Sequence, residues 1–368
     1  MRVLYVINNL TSGGAEKLLL DLIPLINEKE NLAADILLLF DDNNVYYEPL
    51  QKKGVKVDIV KFNKKYDLRN IFEIRRHIIM GNYDIVHAHT FPTQLWVALA
   101  RMFFGDKNIR FITTEHNTYN RRRGKFYFRL IEKFMYSRYD TIVSISEKTK
   151  DSLIDWIDPN KKSIYKHLVM ENGIDLETIK NALPYKKCDL IDGMTADTKL
   201  ICMVGRFTEQ KDQPALIRAV SKLPEDVHLV LAGEGPLMND NKALAEKSGI
   251  SERVHFLGFR NDVPGILKTV DIVVLSSHWE GFGLAAVEGM AAGKPLIASD
   301  VDGLSEVVKG AGILFNTEEE LKNAIISLLN NNALYEEISQ KCRDRAERYD
   351  IKRMAEDLIK LYSGGSNS

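Results

Sequence analysis

Glu280-Gly-Phe-Gly-Leu-Ala-Ala-Val-Glu288 is the stretch on which the reading of the chain turns. It follows Asp271-Ile-Val-Val-Leu275, a short apolar, β-branched run of the kind buried in a parallel sheet. It leads into Leu284 to Ala292, small and apolar, closed by Gly293 with Pro295 two residues later, which reads as a helix with its stop signals. Glu280, Gly281 and Gly283 therefore stand on the turn between a strand's carboxyl end and a helix's amino end, where open α/β sheets take their ligands. The two glycines leave backbone N–H groups uncovered at the positive end of the helix dipole, suited to phosphate or sugar oxygens. Glu288 is a lone carboxylate on an otherwise apolar helix. If buried it needs a donor, and a ribose diol is one good partner; a structural salt bridge or a solvent-facing side chain is the plainer alternative.

Glu280 and Glu288, with seven residues between them, resemble the E-x7-E motif of retaining glycosyltransferases of family 4. Gly281-Phe282-Gly283-Leu284 and Ala291-Ala-Gly-Lys-Pro295 fit the same pattern. The resemblance implies the GT-B fold, two Rossmann-like α/β domains facing across a cleft. It also implies that Glu280, Gly281, Phe282, Gly283, Leu284 and Glu288 bind a nucleotide-sugar donor, with Glu280 at the transferred sugar.

The bulk numbers agree with two domains. At 368 residues the chain can build two cores, and 27% charged with 45% hydrophobic residues is ordinary for a globular protein. The net charge of −1 hides an asymmetry: residues 1–175 carry 27 Lys/Arg against 22 Asp/Glu, and 176–368 carry 23 against 29. A mildly basic first half fits an anionic partner but is too weak for nucleic acid. Three cysteines with no C-x-x-C imply neither a disulfide framework nor a zinc site, and a reducing cytosol is the simplest compartment. No signal peptide is expected, and no apolar run approaches the ~20 residues that span a bilayer.

In the first half, Val3 to Ile7 is a strand followed by Asn8 to Lys17, which holds Gly13 and Gly14, and a helix to about Ile26. Strand, glycine turn and helix open a doubly wound sheet, and the turn fits neither the dinucleotide nor the P-loop pattern. The resemblance implies that Gly13 and Gly14 let the backbone approach the donor diphosphate. His87 and His89 end a later strand and read as loop and pocket-wall residues, expected on opposite strand faces and so poor chelators. Phe111 to Thr114 delivers Glu115-His116-Asn117 to the same sheet edge, and the resemblance places His116 at the transferred sugar as a catalytic residue. In residues 121–133 the cations Lys125, Arg129 and Lys133 share one helical face, with Tyr127, Leu130, Ile131, Phe134 and Met135 expected on the core side. Arg121, Arg122 and Arg123 add to a basic segment that can face anionic headgroups or simply water.

In the second half, Lys199 to Val204 is a strand and Gly205-Arg206 to Lys211 its loop into a helix. Arg206 and Lys211 suit a diphosphate, the arginine through its two-pronged fork and the lysine as a point charge. They match the family's Gly-Arg…Lys signature, which implies that both bind the donor and stabilise the leaving group. The resemblance extends donor binding to Gly233, Gly235, Phe259 and Arg260. Asp300-Val-Asp302 spells D-x-D, but it ends a strand and matches the family's loop after the E-x7-E motif, so no metal is expected.

These readings imply an acceptor domain at 1–175, onto which a helix at 349–362 returns, a donor domain at 176–348, and a disordered tail at 363–368. The implied activity is metal-independent transfer of a sugar, with retained configuration, from a UDP- or GDP-sugar to a hydroxyl of a glycan or lipid-linked acceptor, without a cofactor. The implied setting is surface polysaccharide or glycoconjugate synthesis, cytoplasmic, on an anionic membrane surface reached through 121–133. A nucleotide-sugar epimerase, a phosphorylase or a non-catalytic sugar-nucleotide-binding protein of the same fold is the alternative.

Overall fold

A computed structural model describes residues 1–105, 108–159 and 167–364, apart from the side chain of Arg121. The chain divides into two compact units, 1–173 with 351–368, and 174–350. The sequence reading put these crossings at 175 and 348. Ile174 N–H donates to the Tyr349 carbonyl at 2.9 Å, so the outgoing and returning strands of chain lie side by side. From residue 365 the expected tail lies outside the described residues.

The first unit carries a seven-stranded sheet of β1 (Arg2–Ile7), β2 (Ala33–Leu38), β3 (Val57–Ile59), β4 (Ile85–His89), β5 (Arg110–Glu115), β6 (Thr141–Ser144) and β7 (His167–Val169). The second carries β8 (Lys199–Val204), β9 (Val227–Ala232), β10 (Val254–Gly258), β11 (Ile272–Leu275), β12 (Leu296–Ser299) and β13 (Ile313–Phe315). The spatial orders are β3-β2-β1-β4-β5-β6-β7 and β10-β9-β8-β11-β12-β13, and every pairing is parallel. In both sheets the order reverses beside the first strand, between β1 and β4 and between β8 and β11. Those two switch points are where the adjoining loops diverge and leave a crevice for a ligand. The short edge strand β13 was not anticipated from the sequence, because Ile313-Leu-Phe315 is only three residues long.

Alternation along β1 explains the layers. Val3, Tyr5 and Ile7 enter the core under the helices Gly14–Asn27 and Ile351–Tyr362, whereas Leu4 and Val6 enter the core on the other face. Ile351, Met354, Ala355, Leu358 and Tyr362 are all buried in the first unit. Their spacing of three and four puts them on one stripe of an amphipathic helix. That stripe belongs to the first unit's core although it lies at the far end of the sequence.

A polar chain ties the same helix to the sheet. The Tyr362 hydroxyl lies 2.6 Å from the Tyr5 hydroxyl and 2.7 Å from His87 Nδ1, and His87 Nε2 lies 2.8 Å from Thr114 Oγ1. Arg110 Nη1 donates to the carbonyls of Leu361 and Tyr362, both at 2.9 Å. Burial, aided by His116 nearby, pushes the His87 imidazole down to about 3.

Two outcomes follow from this anchoring. Leu358→Ala, at a site 2% exposed, should cost about 2–5 kcal/mol and lower the urea midpoint of the first unit; an unchanged midpoint would show that the helix is not part of that core. His87 must stay neutral in the folded chain, while the unfolded chain takes up a proton below its ordinary value. Its contribution is therefore complete above about pH 6.5 and is lost as pH falls from there toward 3. The urea midpoint of wild type should fall from pH 7.5 to 5 more steeply than that of His87→Leu, and equal slopes would refute the assignment.

Candidate active site

In the second unit the loop after β8, which borders the switch point, is held to the loop after β9. Gly205 N–H donates to the Ala232 carbonyl at 2.9 Å, and Phe207 N–H to the Glu234 carbonyl at 3.0 Å. The loop after β8 therefore lies along the loop after β9. A Cβ on Gly233 would collide with the Gly205 carbonyl, and one on Gly235 with the Phe207 backbone. Close loop packing is the reason glycine stands at both positions. The next turn, Glu209–Lys211, is tied to the loop after β11: Gln210 Nε2 donates to the Trp279 carbonyl at 2.9 Å, and His278 N–H to the Gln210 carbonyl at 2.8 Å.

Glu280 is the centre of this arrangement. It is 6% exposed, its Oε1 accepts from Ser277 Oγ at 2.8 Å, and the same oxygen pairs with Lys211 Nζ. Lys211 reaches it by passing its stem over Gly205, where a Cβ would already stand 3.4 Å from Lys211 Cδ and Cε. With side chains 17% and 8% exposed, the pair is largely removed from water, and losing one partner of such a pair typically costs about 3 kcal/mol or more. Ser277 and Gln210 carried no motif and were missed in the sequence; they are recognisable only from these bonds.

The remaining donor candidates fall into two groups. Arg206 is exposed, and among the described residues no carboxylate pairs with it. Gly281, Leu284 and Glu288 are half-buried, and Glu288 shares the outer side of the helix Leu284–Ala291 with Leu284, four residues earlier. Gly283 caps that helix at φ 85°, a left-handed backbone natural to glycine. Phe282 is 3% exposed and meets Tyr349 edge-on at 5.3 Å, so only its backbone is left for a ligand. Arg260 is engaged by Asp262 through a two-pronged pair, Nε to Oδ1 at 2.7 Å, and Phe259 is half-buried. That pair, with the Tyr185 hydroxyl on the same carboxylate, holds Asp262 well below the usual carboxylate range.

In the first unit Gly13 caps the helix Gly14–Asn27 without a side chain of its own, and the Glu16 carboxylate lies against it, where a Cβ on Gly13 would collide with Glu16 Oε2. Asn8 fastens this turn to the end of β4, donating to the Phe91 carbonyl at 2.9 Å and accepting from Thr93 Oγ1 at 2.8 Å. His116 follows β5 and is half-buried, with Nε2 2.9 Å from His89 Nδ1. Burial pushes His116 down to about 4 against the pull of Glu115, and pushes His89 well below the ordinary value. The expected separation of His87 and His89 onto opposite faces is wrong. Residues two apart on a strand share a face, and these rings stand 4.4 Å apart. Glu115 is turned inward: it is 3% exposed and accepts from the Tyr136 hydroxyl and, at 2.9 Å, from Asn117 N–H.

The basic segment differs from its expected form. Arg122 Nε donates to the fully buried Glu132 at 2.9 Å, with its guanidinium 4.1 Å from the Phe91 ring centre. Arg123 donates to the Thr118 carbonyl and to Ser152 Oγ. Neither is available to a surface. Glu132, Met135 and Tyr136 form the buried side of the helix Phe126–Ser137 because Arg122 and Glu115 fasten it there. Tyr127 and Leu130, expected inside, are 53% and 59% exposed, beside Phe126 at 73%. Lys125 and Lys133 are exposed and Arg129 half-buried around them.

Among the described residues no group of three or more His, Cys, Asp or Glu is arranged to hold a metal ion. Asp300 accepts from Ser305 Oγ in a loop turn. Among the described residues no helix is long and apolar enough to cross a membrane.

Known proteins show the same pattern. Residues 12–178 match the family described as Glycosyltransferase Family 4, and residues 192–347 that described as Glycosyl transferases group 1. A UDP-Gal:alpha-D-GlcNAc-diphosphoundecaprenol alpha-1,3-galactosyltransferase of Escherichia coli is 28% identical, over 80% of this chain and 79% of its own. A Campylobacter jejuni enzyme, N-acetylgalactosamine-N,N'-diacetylbacillosaminyl-diphospho-undecaprenol 4-alpha-N-acetylgalactosaminyltransferase, is 26% identical over 97% of this chain and 98% of its own. The crystal structure of Anabaena Alr3699/HepE in complex with UDP and glucose superposes with a TM-score of 0.86 at 20% identity, covering 99% of this chain and all of that one. With two doubly wound units, each matched along most of its length, the chain belongs to the family 4 glycosyltransferases and has the GT-B fold.

Proposed function

We propose that this glycosyltransferase moves a sugar from a uridine diphosphate sugar to a hydroxyl of a lipid-linked glycan, with retained anomeric configuration and without a metal or other cofactor. The observation that carries the reading is the second unit's switch point. An exposed Arg206, with no carboxylate partner among the described residues, shares the loop after β8 with a Lys211 already oriented by Glu280, at the end of the sheet where a nucleotide diphosphate is expected. Two cations and the amides ahead of the helix Leu284–Ala291 can take the charge that develops on a departing diphosphate. Glu288 faces outward on that helix and suits the ribose hydroxyls. His116, neutral at physiological pH, suits the transferred sugar as a hydrogen-bonding group. Support for donor and acceptor comes from the E. coli and C. jejuni relatives, whose names specify diphosphoundecaprenol-linked glycans and alpha linkages, and UDP-Gal in the first case.

The experiment is transfer from UDP-galactose or UDP-glucose to undecaprenyl-diphosphate-linked sugars, with the product's anomeric proton read by NMR. An α-linked product that persists in excess chelator is expected. An inverted product, or transfer lost in chelator and restored by manganese, overturns the mechanism. Glu288→Ala should raise the donor KM about tenfold at little cost in kcat, and Glu280→Ala should lower kcat on the order of 10²-fold. Equal effects on affinity alone would exchange or remove these roles.

The reading extends to a peripheral position on an anionic membrane. Its support is the face of Phe126, Tyr127 and Leu130 rimmed by Lys125, Arg129 and Lys133, an apolar patch with cations at its border. Three such charges contribute about 3 kcal/mol at an anionic surface. Wild type should sediment with phosphatidylglycerol vesicles at low salt and be released at high salt. Phe126→Ser/Leu130→Ser should not sediment. Binding by the variant as strong as by wild type, or none by wild type, would leave this face to water.

A further inference from the structure

We propose that His89 is a positioning residue that fixes the tautomer of His116, so that His116 presents its Nδ1–H to the substrate as a neutral hydrogen-bond donor rather than as a base. This rests on the reading of His116 as the group that meets the transferred sugar.

The argument is a count of protons. His89 Nδ1 and His116 Nε2 lie 2.9 Å apart, so one proton stands between them. Each neutral imidazole has one N–H. If His116 Nε2 donates, His89 carries its proton on Nε2. That atom is buried and has no hydrogen-bond partner among the described residues, so a donor would be stranded away from water. If His89 Nδ1 donates, Nε2 of His89 is a bare lone pair, which is better tolerated there than an orphaned N–H. The second arrangement leaves His116 with its proton on Nδ1. Since Nε2 is committed to His89, Nδ1 is also the nitrogen left for a ligand.

The surroundings keep the row neutral. His89 is 2% exposed, lies between the rings of His87 and His116 at 4.4 and 5.1 Å, and stacks on Tyr5 at 5.6 Å. His87 is engaged by Tyr362 and Thr114, and Glu115, the carboxylate next to His116, is occupied by Tyr136 and Asn117. Depressed values for all three imidazoles agree with this. A ring held neutral, with its only free nitrogen protonated, has no lone pair to offer a substrate hydroxyl. It can steady an oxygen that gains negative charge.

The test uses the full-length enzyme labelled with 15N-histidine, because ring nitrogen shifts separate protonated from bare nitrogens. His116 is assigned by its loss in His116→Gln. At pH 7.5 the expected spectrum shows His116 protonated on Nδ1, and a proton on Nε2 overturns the proposal whether or not the enzyme transfers sugar. The second arm follows UDP-galactose hydrolysis or transfer in His89→Asn, which keeps a donor near the Nδ1 position, and His89→Leu, which removes it. Losing a correctly aimed donor should lower kcat on the order of 10²-fold in the leucine variant, with KM unchanged, and the asparagine variant should recover most of it. Equal losses in both variants, tracking equal losses in melting temperature, would reduce His89 to a packing residue. If wild type turns over no nucleotide sugar, the transferase reading fails while the nitrogen shifts still decide the tautomer.

Discussion

The carboxylate of Glu280 has to be matched, and much of the second unit's candidate site follows from how it is matched. A carboxylate this far from water is tolerable only with donors around it. Lys211 and Ser277 supply them, from the loops after β8 and after β11. Lys211 crosses Gly205 to reach Glu280, while the amides of Gly205 and Phe207 hold the loop after β8 against the loop after β9 and leave no room for side chains at Gly233 and Gly235. Gly303 stands against the Glu280 carbonyl for a similar reason. The ion pair thus ties the loop after β8 to the loop after β11, and among the described residues Arg206 pairs with no carboxylate.

The first unit meets the same location, a switch point in a parallel sheet, with opposite electrostatics. Around the ends of β1, β4 and β5 three imidazoles, two phenols and a threonine hydroxyl are joined in short hydrogen-bonded runs. Its carboxylates Glu115 and Glu132 are turned inward to Tyr136 and Arg122. The sheets are alike; the difference lies in the side chains at the strand ends.

The fold was legible because both sheets are parallel. Strands buried on two faces read as continuous apolar runs, and glycine turns mark their carboxyl ends, as with Val3 to Ile7 and Asp271 to Leu275. The strand Ile313–Phe315 escaped because three residues carry no period. Motif spacing brought out Arg206, Lys211 and Glu280, but not that Lys211 and Glu280 bond each other. Ser277 and His89 were not legible as partners, since a hydrogen bond between side chains leaves no periodic trace. On the helix Phe126–Ser137, hydrophobicity pointed Tyr127 and Leu130 inward. The buried Arg122–Glu132 pair rotates the helix the other way, which composition alone does not disclose.

The helix Ile351–Tyr362 makes the first unit discontinuous, and a ribosome builds discontinuous units out of order. Strands β1 to β7 emerge first, and all of residues 174–350 are then translated before the segment that packs on the helix Gly14–Asn27 and bonds Tyr5 exists. At roughly 5–20 residues per second that interval is on the order of ten seconds or longer. Throughout it the nascent chain displays an apolar furrow beside the helix Gly14–Asn27, and the hydroxyl of Tyr5 lacks its companion. The second unit, contiguous in sequence, meets no such delay. Closure of the first unit's core therefore waits on the arrival of Ile351 to Tyr362.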